Sequence, residues 1–139
     1  MATRSEILRE LFVENGLVKD EDTFDLKFGS RKTTIITRSG IEKIQFHNNI
    51  EIKYYIESIV PADWASPFVV IKAVAKKGDI VMESFGEASS QNTTQKYPVA
   101  MAEKRALSRV VLKIAGFYKY GVFGEDESDD FKRKVKEAA

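Results

Sequence analysis

Three basic residues recur every four positions along one predicted helix of this 139-residue chain. The stretch YPVAMAEKRALSRVVLKIAGF, residues 97–117, places Arg105, Arg109 and Lys113 at positions i, i+4 and i+8. Residues four apart lie on the same face of a helix, so these cations form one row. A basic row can follow a phosphate backbone. The alternative is an ordinary solvated helix face.

Lysines and tyrosines elsewhere in the chain could extend this row into a binding surface. Proteins bind single strands without sequence preference by holding phosphates with cations and stacking bases on aromatic rings. The candidate DNA-binding residues are Lys53, Lys72, Lys76, Lys96, Lys104, Arg105, Arg109, Lys113, Tyr54 and Tyr97. Each aromatic residue taken singly could instead belong to the core or its rim.

One acidic residue falls on the helix face that should be buried. On a wheel of about 100° per residue, Glu103 lies at the centre of the apolar arc between Val99 and Phe117. A carboxylate is costly to bury without a cation or hydrogen-bond donors, so we expect a structural ion pair. Partial exposure and a catalytic role are the alternatives. Met101 and Leu112 fall on the nominally polar side and suggest a second contact, such as one between subunits.

The chain carries no sequence pattern of a catalytic or metal site. It has no cysteine and one histidine, His47, which excludes thiolate zinc sites and multi-histidine clusters. Phosphate-binding glycine loops, HExxH and nucleophile elbows are absent from the sequence. We therefore expect no catalytic residue, no metal and no cofactor, with His47 at a surface or helix end. A small metal-dependent nuclease is the enzyme alternative.

The composition is that of one domain in a reducing compartment. Hydrophobic residues make up 43% of the chain, which is enough for a core. The absence of cysteine, of an apolar run of about 20 residues and of a signal-peptide core favours a cytoplasmic protein without a membrane partner.

The charge changes sign near residue 125. The net charge is +1, but the residues from Glu125 onward hold six acids and four bases, which leaves the rest at +3. Any polyanion site must therefore be a local patch. We divide the chain into a single DNA-binding domain, residues 1–124, and an acidic stretch with a short C-terminal helix or tail, residues 125–139.

Capping patterns and short β-branched runs predict the N-terminal elements. Thr3 and Glu6 have the spacing of a capping box for a short helix, and Ser39 to Glu42 repeats it before a second helix. Short strands are expected at residues 24–28 and 33–37.

Three strands in quick succession are the clearest structural signal. Residues 50–57 and 80–87 alternate between apolar and polar side chains, whereas residues 68–76 are almost continuously apolar. Lys77-Gly78-Asp79 is a natural hairpin turn. We predict an α+β fold in which an antiparallel β-meander of three to four strands packs against the long amphipathic helix, with short N- and C-terminal helices.

Two stretches of the sequence resemble a known group of proteins. They are FGEASSQNTTQKYPVAMAEKRALSRVVLKIAGFYKYGVFGEDE and ITRSGIEKI, the latter at residues 36–44. The sequence is similar to the phage and bacterial relatives of the single-strand annealing proteins, a superfamily of recombination mediators that includes the eukaryotic annealing and double-strand-break repair protein. In that group a GEA-type strand end precedes a polar loop and an AEKRA helix that ends in small residues and glycine. Here these are Gly86 to Ala88, Ala102 to Ala106 and Gly116.

The resemblance implies an ATP-independent protein that binds and anneals single-stranded DNA in recombination and repair, as a homo-oligomeric ring or filament. It implies a basic groove between the sheet and helix layers. By position, the groove would contain Lys53, Lys72, Lys76, Lys104, Arg105 and Arg109. The expected partners are single-stranded DNA and further copies of the chain, with a single-strand binding protein or an exonuclease as additional candidates. The alternative is a protein-interaction or structural module without nucleic-acid activity.

This interpretation makes a specific prediction about two residues of the row. Replacing Arg105 or Arg109 with alanine should weaken DNA binding and flatten its salt dependence without unfolding the domain.

Overall fold

The computed structural model describes residues 3–28, 31–60, 68–89 and 98–125. Its helices are α1 (Arg4–Glu14), α2 (Arg38–His47) and α3 (Pro98–Ile114). Its strands are β1 (Thr23–Phe28), β2 (Arg31–Ile36), β3 (Glu51–Val60), β4 (Phe68–Lys77), β5 (Ile80–Ala88) and β6 (Phe123–Gly124). The predicted α+β class is confirmed.

The strands β3, β4 and β5 form the predicted antiparallel meander. Lys77 pairs with Ile80 across a two-residue turn, in which Gly78 has a φ of +60°. This left-handed conformation is the one that glycine adopts easily in such hairpins. On the other side of β4, β3 pairs with a register shift between Ile56 and Ser58.

The chain also forms a second three-stranded sheet. Its order is β1-β2-β6, with β1 antiparallel and β6 parallel to β2. The three strands of the meander agree with the prediction of three to four strands, but the second sheet was not predicted. The two short strands predicted at residues 24–28 and 33–37 pair with each other, and the two-residue β6 is too short to show any periodicity in sequence.

The long helix α3 is covered from two sides. It packs on β4 and β5 through one face and contacts α2 and β6 through another. Met101 and Leu112, predicted on the polar side, are both buried. The exposed positions of the helix are Ala100, Glu103, Lys104 and Lys113. The prediction that Glu103 is buried is wrong. The helical wheel assumed that only the sheet covers α3, whereas α2 and β6 cover a second face, so a different set of positions is exposed.

The contact between α3 and β5 is close enough to require a glycine. A Cβ atom on Gly86 would overlap the carbonyl oxygen of Ala102 and the amide nitrogen of Ala106, both in the helix backbone. The small side chains at these positions let the helix approach the strand. The predicted packing of this helix on the meander is confirmed.

The helix starts follow the capping signals in one case and depart from them in the other. The capping box of α1 is confirmed, since Thr3 and Glu6 exchange hydrogen bonds between side chain and backbone. The box predicted at Ser39 to Glu42 is wrong. The helix α2 begins one residue earlier than Ser39, and Thr37 caps it by accepting a hydrogen bond from the Gly40 N–H.

A buried carboxylate ties the N-terminal part of the chain to α2. Asp22 accepts hydrogen bonds from Lys43 Nζ at 2.6 Å, from Ser39 Oγ at 2.7 Å and from the Val18 N–H at 2.8 Å. Burial alone raises the pKa of the Asp22 carboxyl, but these donors favour the charged form more strongly, and the pKa is lowered. The carboxylate therefore helps to hold the segment before β1 against α2.

Three further predictions concern His47, the C-terminal stretch and membrane-spanning helices. His47 is the last residue of α2 and is exposed, as expected. Apart from Glu125, the acidic stretch and the C-terminal helix lie outside the described residues, and the domain division at residue 124 stays a prediction. None of the helices in the described ranges has the length and apolarity that crossing a membrane requires.

Candidate nucleic-acid interface

The basic row of α3 lies against the outer edge of β5. Arg105 Nη1 donates to the Glu87 carbonyl at 2.7 Å, Arg109 Nη1 to the Phe85 carbonyl at 2.8 Å, and Lys113 Nζ to the Glu83 carbonyl at 3.2 Å. These carbonyls belong to alternate residues of β5, which is an edge strand of its sheet. Each successive cation of the helix therefore meets the next outward carbonyl of the strand.

The cations of α3 match the carbonyls of β5 because four residues of a helix and two residues of a strand have nearly the same length. Four residues of an α-helix rise about 6 Å, and two residues of a β-strand advance about 6.7 Å. A helix antiparallel to an edge strand can thus place donors on three successive outward carbonyls. These three edge carbonyls are satisfied, and the side chains that reach them hinder the pairing of this edge with another chain.

The three cations become more exposed along the row from Arg105 to Lys113. The Arg105 side chain is buried, with 1% of the residue exposed. Arg109 also forms a two-pronged ion pair with the Glu87 carboxylate, at 2.8 and 3.0 Å, whereas Lys113 is exposed. The prediction of an exposed basic row is wrong for Arg105, because the edge of β5 lies within its reach.

The remaining charged candidates lie on different parts of the surface. Lys53, Lys76 and Lys104 are exposed, and none of them has an ion-pair partner in the described ranges. Lys96 and Tyr97 lie outside the described residues. Tyr54 points to the helix side of the meander, since it is paired with the buried Ala73.

A row of three side chains crosses the opposite, open face of the meander. The register pairs Tyr55 with Lys72 and Lys72 with Phe85, so the three residues are direct neighbours on β3, β4 and β5. Tyr55 is 48% exposed and Phe85 49%. The ammonium of Lys72 lies 5.3 Å from the centre of the Tyr55 ring. We call these residues the stacking row.

Two carboxylates hold the central lysine of the stacking row. Lys72 Nζ lies 3.4 Å from Glu57 and 3.6 Å from Glu83. The hydrogen bond and the negative charge of Glu57 raise the pKa of Lys72, and the charge of Glu83 raises it further. Lys72 is therefore charged and fixed in position between the two rings, and its charge is already partly neutralised.

A second group of side chains lies near Tyr54, on the helix side of β3. Burial raises the pKa of Tyr54, and the negative charge of Glu103 raises it further, whereas the nearby Arg38 lowers it. Arg38 Nη1 is buried and has no hydrogen-bond partner among the described residues. A buried guanidinium N–H without an acceptor is a place where an anionic oxygen could bind.

Sequence reasoning missed Tyr55, Phe85 and Arg38 as candidate site residues. The sequence does contain signals for Tyr55 and Phe85. Tyr55 lies two residues after Lys53 and therefore on the same face of its strand, and the Gly78 turn sets Phe85 opposite Lys72. No local signal marks Arg38, because its proximity to Tyr54 of β3 results from the tertiary structure.

Comparison with known proteins gives no further guidance. No protein family, no curated protein and no solved structure matches this chain.

Proposed function

We propose that this chain binds single-stranded DNA on the open face of the β3-β4-β5 sheet and, as a homo-oligomer, brings complementary strands together without ATP. The observation that carries the proposal is the stacking row of Tyr55, Lys72 and Phe85 on an exposed sheet face. The role would be strand annealing in recombination and repair, with no catalytic step.

The spacing of the stacking row suits bases held on a flat surface. Tyr55 and Phe85 are two strands apart, which corresponds to about 9.5 Å across the sheet. Aromatic rings at such spacing can each stack with a base, and every base offers a π face, so binding needs no particular sequence. Lys53 and Lys76 lie on the same face as the row and are available for phosphates.

The charges of the open face predict weak binding by a single copy. Glu57 and Glu83 already neutralise Lys72, so the phosphates depend on the other lysines. Several copies on one strand would multiply this weak contact, because each further contact becomes intramolecular. This is the physical reason for including oligomerisation in the proposal.

Apolar residues on the same face favour a second candidate, a protein-interaction module. Phe68, Val81 and Phe85 are each between 44% and 58% exposed. Several exposed apolar side chains on one face are typical of a protein contact. The two functions differ in salt dependence, since DNA binding weakens steeply with salt and an apolar contact does not.

The direct test is the fluorescence anisotropy of a labelled oligothymidine in a salt series, with the mass of the protein determined by light scattering. Replacing Tyr55 and Phe85 with alanine should weaken binding about tenfold or more, because each lost stacking contact is worth roughly 1–3 kcal/mol. The matched control is Phe46→Ala, which removes an exposed aromatic residue on α2. Equal affinity of the double variant and the control would contradict the proposed surface.

A charge variant separates the phosphate contacts from stacking. Replacing Lys53 and Lys76 with glutamine should reduce the slope of log affinity against log salt by about 1 to 2. Lys27→Gln, an exposed lysine on the other sheet, is the control. Salt-independent binding, or none at low salt, would favour the protein-interaction alternative.

A further inference from the structure

A cleft of about 500 Å³ opens between α1 and the second sheet, away from the stacking row. Its apolar lining includes Leu8, Phe12, Leu17 and Phe24, all of them half-buried. The helix α1 covers this side without sealing it, since it contains no buried residue. Phe12 is held in place by stacking on Phe117, with ring centres 5.9 Å apart. The apolar part of the cleft is therefore formed but only partly filled.

The rim of the cleft is mainly basic. Its charged lining residues are Arg4, Arg9, Lys19, Lys32, Asp20 and Asp25. Lys32 pairs with Asp25 at 3.3 Å, and Arg4 donates to the Tyr120 carbonyl. Among the described residues, Arg9 and Lys19 have no ion-pair partner. An apolar site with two available cations at its rim suits a peptide that combines carboxylates with a large apolar side chain.

The chain itself contains one segment of this chemistry. Residues 126–131 read DESDDF, with four acids and Phe131 within six positions. They follow Glu125, whose carboxylate accepts a hydrogen bond from the Arg38 N–H at 2.7 Å. Gly121 and Val122 line the cleft, so the segment starts within a few residues of its wall. Six extended residues span up to about 20 Å, which lets the segment turn back onto the adjacent cleft of its own chain.

We infer that the cleft beneath α1 binds the acidic segment Asp126–Phe131 of this chain. Phe131 occupies the apolar part, against Leu8 and Phe12, and the carboxylates lie at Arg9 and Lys19. The inference does not depend on DNA binding, because the cleft and the stacking row share no residue. The DNA assay and the segment assay can therefore fail independently.

The test uses full-length chains and a labelled peptide, GEDESDDF, that copies residues 124–131. In one variant the chain's own segment is inactivated by D126N, E127Q, D129N, D130N and F131A. The peptide should bind this variant, and binding to the unmodified chain should be about tenfold weaker or more, because the tethered segment competes at a high effective concentration. Salt should weaken binding, since partly exposed ion pairs are screened.

Two further variants locate the binding site. R9E and K19E, added to the variant with the inactive segment, should abolish peptide binding, whereas K77E and K104E, which change the same charge outside the cleft, should leave it unchanged. Circular dichroism checks that all variants are folded. The inference is overturned if the peptide fails to bind the variant, or if R9E and K19E have no more effect than K77E and K104E. Light scattering of the unmodified chain then shows whether the segment binds within one chain or between copies.

Discussion

The two edges of the β3-β4-β5 sheet differ in what covers them. The edge at β5 is closed by Arg105, Arg109 and Lys113, which donate to three outward carbonyls. The edge at β3 pairs with β4 alone in the described part of the chain, and Ile56 on it is 64% exposed. As far as the structure describes the chain, one edge of this sheet is therefore protected by the helix and the other is open.

This difference changes the meaning of the basic residues in α3. A regular row of cations on a helix is the pattern expected for a phosphate track, yet here it satisfies a strand edge. An unprotected strand edge can pair with a further chain. The open edge at β3, rather than the edge beside the basic row, is thus where a strand of another chain can pair with this sheet.

The largest expected effect on the closed edge comes from Gly86→Ala. Its methyl group would overlap the backbone of α3 rather than a movable side chain. We expect the free energy of unfolding to fall by about 3 kcal/mol or more, because overpacking against a backbone cannot be relieved by a rotamer change. Urea denaturation measures this. Ser84→Ala, on the same face of β5, is the control, and an equal effect of both changes would show that the contact between α3 and β5 is looser than described.

Removing the buried cation should have the next largest effect. Arg105→Ala should lower the free energy of unfolding by about 3 kcal/mol, because it removes a buried side chain, creates a cavity and leaves the Glu87 carbonyl without its charged donor. This reverses the expectation from sequence that the substitution would affect DNA binding alone. A folded Arg105→Ala protein of unchanged stability that has lost DNA affinity would restore the phosphate-track interpretation.

A smaller effect is expected one turn further along the helix. Arg109→Ala should cost about 1 kcal/mol, because its ion pair with Glu87 is partly exposed and worth less than the buried contact of Arg105. Equilibrium unfolding of Arg109→Ala, Glu87→Gln and the double variant gives the coupling energy directly. Strictly additive effects would mean that the ion pair contributes nothing to closing this edge.

A substitution at the open edge of β3 should change the assembly of the chain and leave its stability almost unchanged. Ile56→Lys should leave the free energy of unfolding within about 0.5 kcal/mol, since the side chain is largely exposed. It should lower the mass measured by light scattering, because a charge on an edge strand opposes pairing with another chain. Ile80→Lys, at the hairpin and also exposed, is the control. An unmodified chain that stays monomeric at the same concentration would contradict this prediction.

Much of the meander could be predicted from residue patterns. Alternating side chains predicted β3 and β5, the apolar run predicted β4, and the Gly78 turn defined the register between them. These signals are local, so they need no knowledge of the partner. The strand β6 could not be predicted, since its two residues become a strand only by pairing with β2.

The candidate site was predicted less completely than the fold. Lys53, Lys72 and Lys76 were correctly identified as side chains of the meander, but the choice of Tyr54 over Tyr55 placed the aromatic partner on the opposite face. One reason explains why the burial of Glu103, Met101 and Leu112 was predicted wrongly. A helical wheel shows which residues share a face, and it does not show how many faces will be covered.

The sequence by itself determined the elements that depend on near neighbours: the period-2 strands, the hairpin turn, the capping box at Thr3 and the cation spacing in α3. Only the tertiary structure decided what those elements are used for. Whether Arg105 meets phosphate or a backbone carbonyl depends on how far the edge of β5 lies from the helix. That distance results from packing across the whole fold, through contacts between residues far apart in the chain, and no local pattern encodes it.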